Sequence, residues 1–150
     1  MTRASIPLLA GLGLLLCLPL AHAVDRNTPV GTWTTIDDET HRPKSIVQIE
    51  DVDGELRGKV LQVLASEQGP HPVCSACEGE RKNQPIEGMV ILWGVKRDGD
   101  TWSGGQILDP KSGKVYKVKL KPIEGGDKLE VRGYIGFSLL GRTQVWERRE

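Results

Sequence analysis

Cys74-Ser75-Ala76-Cys77 carries the densest local chemistry in the sequence, with His71 three residues before it. Three readings of this cluster differ in what the sulfurs do. Two cysteines in an oxidising compartment are most simply joined as a disulfide, and so short a loop contributes only about 2 kcal/mol in the chain-entropy view. Its job would be to pin the local loop. A redox-active pair needs its first thiolate stabilised by a helix N-terminus or a cation, and no βαβ pattern surrounds this one. A His-x-x-Cys-x-x-Cys metal site needs a fourth ligand, which His41 or an acid could supply, but nothing in the sequence places either nearby. Covalent haem attachment requires histidine directly after the second cysteine, where Glu78 stands. The expectation is a structural disulfide between Cys74 and Cys77, with no metal and no cofactor.

Other candidate groups are sparser. There is no Gly-x-Ser-x-Gly, His41 and His71 lie in loop-like segments, and Ser138 has no evident base. The stretch Gly136-Phe137-Ser138-Leu139-Leu140-Gly141 around it reads as core packing. Asp37-Asp38-Glu39 offers carboxylates for a hard cation, yet it sits in a turn without a partner of matching spacing and reads as a solvated turn. Gly104-Gly105 falls inside a strand run and reads as a bulge or a close approach of another group. A non-enzymatic role is expected.

The elements that position these residues follow a leader. Arg3, an apolar run from Ile6 to Leu20 and the small residues of Ala21-His22-Ala23 predict a secretory signal over residues 1–23, cleaved after Ala23. Pro7 and Pro19 interrupt the run and Asp25-Arg26-Asn27 follows at once, so a retained span of about 20 apolar residues is not expected. Leu16, just before Cys17, is too bulky for a lipoprotein cleavage site. The mature domain is residues 24–150, and its expected location is the periplasm or beyond. The full chain has 20 Lys+Arg and 20 Asp+Glu; the leader takes Arg3 alone, leaving 19 against 20. A near-neutral balance with both signs interspersed argues against nucleic acid or an anionic membrane surface as the main partner, since both call for a basic stripe or block.

Strand follows turn along the mature chain. The runs are Val30 to Ile36, Ser45 to Glu50, Glu55 to Leu64, Gly88 to Val95, Thr101 to Leu108, Lys114 to Leu120, Lys128 to Tyr134 and Arg142 to Arg148. Asp53-Gly54 marks a tight hairpin. In the sixth run Tyr116, Val118 and Leu120 face opposite to Val115, Lys117 and Lys119, so one side packs and the other is mainly wet. Eight such antiparallel strands close most economically into an up-and-down barrel, with a two-sheet sandwich as the competitor. Residues 66–87 break the rhythm and form one long cysteine-containing loop.

The motifs Gly31-x-Trp33, Asp37-Asp38, Lys44-Ser45-Ile46-Val47, Cys74-x-x-Cys77, Gly105-x-Ile107-Leu108-Asp109-Pro110, Leu129-x-Val131-Arg132-Gly133-Tyr134 and Gly141-Arg142-Thr143-Gln144-x-Trp146 together resemble the uncharacterised bacterial family designated domain of unknown function 2147. That resemblance implies bacterial export and a small lipocalin-like (calycin-like) β-barrel, with no catalytic residues to carry over. A weaker resemblance concerns the barrel: lipocalin-like proteins open on Gly-x-Trp, whose indole packs at the closed end beside a late Arg or Lys, and Gly31-Thr32-Trp33 with Arg148 is similar. Trp33 then reads as a plug before it reads as a ligand platform.

Closing the barrel pairs the last run with the first. Placing Arg148 beside Gly31 sets Trp33 opposite Trp146 and Asp37 opposite Arg142, an aromatic closed end and an ionic, open one. Arg142, Gln144, Trp146 and Arg148 share a face, and Trp146 argues that this face is the interior. Arg142 and Gln144 then need partners, either a ligand group or protein groups such as Asp37, Asp109 or Arg132. The candidate ligand-binding set is Trp33, Asp37, Asp109, Arg132, Tyr134, Arg142 and Gln144. The expected function is a monomeric envelope protein binding a small or lipidic molecule in the barrel. The competitors are a solid barrel that docks an envelope protein, and a redox or metal role at Cys74 and Cys77.

Overall fold

β-Branched and aromatic residues alternating with polar ones build eight strands in this computed structural model, which describes residues 25–137 and 140–150. The expected leader lies outside those residues. The strands are β1 (Gly31–Ile36), β2 (Pro43–Val52), β3 (Glu55–Val63), β4 (Val90–Asp98), β5 (Thr101–Asp109), β6 (Lys114–Ile123), β7 (Lys128–Tyr134) and β8 (Gly141–Arg149). Each pairs antiparallel with its neighbours in sequence order, and β8 returns to β1, so the sheet closes as a barrel. Closure removes both free edges, and the sandwich alternative falls with it. Among the described residues no helix is long and apolar enough to cross a membrane.

Period-two alternation supplies the core. On β6 the side chains of Val118 and Leu120 are fully buried while Lys117, Lys119 and Lys121 are exposed. Trp33, Val47, Val60 and Leu129 join one core cluster from four strands. The β2–β3 reversal is tight because Asp53 and Gly54 both take left-handed backbone angles, and Asp51 Oδ1 accepts from Gly54 N at 2.8 Å. The glycines at 104 and 105 lie at a register shift between β5 and β6, the expected bulge.

The seam differs from the sequence expectation by two residues: Trp33 pairs with Arg148, Thr32 with Arg149 and Thr34 with Glu147. Trp33 therefore does not face Trp146. The reason is the length of arginine. Two residues of strand rise about 6.6 Å, roughly the reach of the side chain. With its Cα level with Trp33, Arg148 brings its guanidinium beside Gly31, where any Cβ would collide with Nη1. The side chain, and not the backbone, is the neighbour of Gly31.

The long connection between β3 and β4 is ordered. Val73 and Pro85 form a β-bridge, Cys74 N donates to Gln84 O at 2.8 Å, and Asn83 N donates back to Cys74 O at 2.9 Å. The Cys74–Cys77 disulfide closes the tip of this small hairpin, as expected, and both cysteines are buried. The tip rests on the β5–β6 turn, where Gly113 has φ of 71° and leaves no room for a Cβ against the Ala76 carbonyl.

Candidate functional site

The two ends of the barrel are built oppositely. At the β1 start, Trp33 is fully buried and its Nε1 donates to Pro29 O at 2.8 Å. The Arg148 guanidinium lies 4.2 Å from the Trp33 ring centroid. It donates to Gly126 O at 2.5 Å, Thr28 O at 2.9 Å, Val30 O at 3.1 Å and Arg26 O at 3.2 Å. Five N–H donors in a rigid fork suit this set of carbonyls as an ammonium could not. Burial, and then the charge of Arg26, holds the Arg148 guanidinium below its ordinary pKa. Arg26 is itself paired with Asp127 at 2.6 Å and Glu150 at 3.1 Å. This end is a plug.

At the other end a cavity of about 550 Å³ opens among the last residues of β1, β5 and β7 and the first of β2, β6 and β8. Its floor is apolar: Trp146, Val131, Ile91 and Ile107. Polar groups collect on the side formed by β1, β2 and β8. There Thr35 Oγ1 and Ser45 Oγ share a hydrogen bond at 2.7 Å. A chain of hydrogen bonds runs up from the floor: Trp146 Nε1 donates to Gln144 Oε1 at 3.1 Å, and Gln144 Nε2 donates to Asp38 Oδ2 at 2.8 Å. Arg142 Nε approaches the same Asp38 oxygen at 3.1 Å. Lys44, Asp109, Tyr134, Ile135 and Leu140 complete the rim. Such a site can hold an apolar body against the floor and orient one polar group at the edge.

A profile of the DUF2147 family, described as an uncharacterised protein conserved in bacteria, matches residues 31–148. The chain belongs to the DUF2147 family. Among solved structures it is similar to protein HP1028 from Helicobacter pylori, described as belonging to the lipocalin family. The TM-score is 0.70 at 18% identity, covering 81% of this chain and 82% of that one. The likeness is one of fold. No curated protein matches the sequence.

Within this DUF2147 barrel the cavity gathers Asp109, Tyr134, Arg142 and Gln144 from the expected ligand-binding set, and leaves out Trp33, Asp37 and Arg132. Trp33 belongs to the plug. Arg132 stands on the outer face of β7, donating to Thr143 Oγ1 at 2.8 Å. Asp37 is spent on its own turn: Oδ1 accepts from Thr40 N at 2.8 Å, Thr40 Oγ1 at 3.0 Å and Glu39 N at 3.1 Å. Those Thr40 bonds, with help from Glu39 N and Lys44, hold its carboxyl below the usual carboxylate range. Asp109 caps the β5–β6 turn through Lys111 N at 3.1 Å and Ser112 Oγ at 2.8 Å while its residue lines the rim.

Asp38 is the acid that meets Arg142, where sequence reasoning expected Asp37. The signal was present in Asp37-x-x-Thr40, an Asx-type turn that commits the first carboxylate to the backbone and leaves the second for a partner. A second correction concerns residues 136–141. Phe137 is 79% exposed and Leu140 72%, so these two side chains stand in solvent and not in the core, while Ser138 and Leu139 lie outside the described residues. Both sulfurs of the cysteine pair are bonded to each other, and the metal reading would have needed them as free thiolates.

Proposed function

We propose that this DUF2147 protein is an exported cell-envelope protein that binds a small, largely apolar molecule in the open half of its barrel without transforming it. The observation that carries the reading is the cavity of about 550 Å³ with an apolar floor and a short polar edge. Small-molecule sites range from roughly 300 to 1,000 Å³ and combine such a floor with a few placed polar groups. The plugged opposite end leaves one entrance, and the hydrogen-bond chain through Gln144 and Asp38 fixes the edge in position. The lipocalin description of HP1028 supports the same reading. Export is supported by the leader features of residues 1–23 and by a buried disulfide, which suits an oxidising compartment.

Native mass spectrometry of protein purified from its own host tests the binding reading. A bound species released on denaturation is expected. Protein that is ligand-free at every preparation, and takes up no apolar probe, would contradict it. Intact mass of the same material tests export, since processing after Ala23 leaves a chain beginning at Val24.

A further inference from the structure

Three residues at the rim stand apart in exposure: Ile135 at 63%, Phe137 at 79% and Leu140 at 72%, while no other large hydrophobic among the described residues exceeds 44%. All three belong to the connection between β7 and β8, and residues 135–141 carry no charged side chain. Ile135 and Leu140 also line the cavity, so two of the three exposed side chains adjoin its mouth.

The outer wall beneath this loop is basic. Alternation on β6 points Lys117, Lys119 and Lys121 outward, in register with Tyr134, Arg132 and Glu130 on β7. Four cations therefore share the wall with a single carboxylate. None of the three lysines has an ion-pair partner among the described residues. The shelf closest to the mouth joins Trp93, Lys117 and Tyr134. A charge balance near zero conceals this stripe, because every acid but Glu130 lies outside β6 and β7.

From the exposed Ile135, Phe137 and Leu140, the interfacial aromatics and the unpaired lysines together we infer that these three apolar side chains and the outer wall of β6 and β7 dock on an anionic lipid surface. Phe137 and Leu140 enter the acyl boundary. Trp93 and Tyr134 lie at headgroup level, where amphipathic rings collect. The barrel tilts toward β6 so that Lys117 and Lys119 meet the headgroups. The cavity mouth then faces the lipid. The inference rests on the loop and the wall alone and stands whether or not the cavity holds a ligand.

The test uses leader-processed protein from the host, its mass verified, sedimented with vesicles of phosphatidylcholine alone and of phosphatidylcholine with an equal part of phosphatidylglycerol. Binding to the phosphatidylglycerol vesicles is expected, weaker on neutral vesicles and weakened by salt. Phe137→Ser should lower it by at least about tenfold, given the transfer free energy of a phenyl ring. Lys117→Glu and Lys119→Glu should each lower it roughly fivefold or more. All three side chains are in solvent, so the fold should be kept, which circular dichroism verifies. Equal binding to both vesicles, binding indifferent to the variants, or no vesicle binding would overturn the inference; the last would assign the loop to a protein partner.

Discussion

At the residue scale the plug is the most committed part of the molecule. Arg148 satisfies carbonyls from Arg26, Thr28, Val30 and Gly126 and covers the face of Trp33. Removing it leaves those acceptors without a donor, so Arg148→Ala should cost about 3 kcal/mol in urea unfolding. Arg148→Lys should recover less than half of that, because an ammonium lacks the fork. Full rescue by lysine would show that charge alone matters there. Asp37 gives a pH prediction of definite sign. Its folded pKa is lowered from 3.8, so its contribution is complete above that value and is lost as pH falls through the lower folded one. The stability gap between wild type and Asp37→Ala should stay constant at neutral and mildly acidic pH and close only below about pH 4. A gap already closing near neutrality would contradict the turn assignment. At this scale the sequence was legible where a residue has one evident duty, as at Trp33. It misled at Asp37, whose neighbour Asp38 differs only in what the turn leaves free.

At the element scale the eight strands were readable because each alternates between a packed and a wet face. Their ends were less so: β2 begins at Pro43 and β4 at Val90, since the pairing of Val60 with Gly88 and Met89 is a loop contact outside the strand. Phe137 and Leu140 were expected in the core because apolar composition records what a residue prefers, while their place beyond the ends of β7 and β8 leaves them at the barrel mouth in solvent. The cysteine hairpin was legible as a loop, and its packing on Gly113 was not, because a contact between distant turns leaves no local pattern. Cys74→Ala/Cys77→Ala should lose about 2 kcal/mol. Hydrogen exchange should rise in residues 72–86 and around Gly113, with the strands protected as before. Loss of protection across the whole barrel would mean that the disulfide holds more than its hairpin.

For the whole molecule, closure by β1 and β8 was foreseeable from strand count, and its register was not: backbone pairing was inferred from a contact that the Arg148 side chain makes at a distance. A barrel plugged at one end and hollow at the other also escapes periodicity, since Thr35, Ser45 and Gly133 point inward like any core residue but leave space. Gly133 offers the sharpest probe of that space. A Cβ there would stand 3.5 Å from Tyr116 Cβ, an ordinary contact, and a longer side chain would continue into the cavity. The decisive measurement is a titration of wild type and Gly133→Leu with the apolar anion 1-anilinonaphthalene-8-sulfonate, read by fluorescence. The account predicts saturable binding to wild type, an affinity at least about tenfold lower for Gly133→Leu, which is about 1.4 kcal/mol, and nearly unchanged melting. Equal affinity in two equally folded proteins, or no binding to wild type, would contradict it.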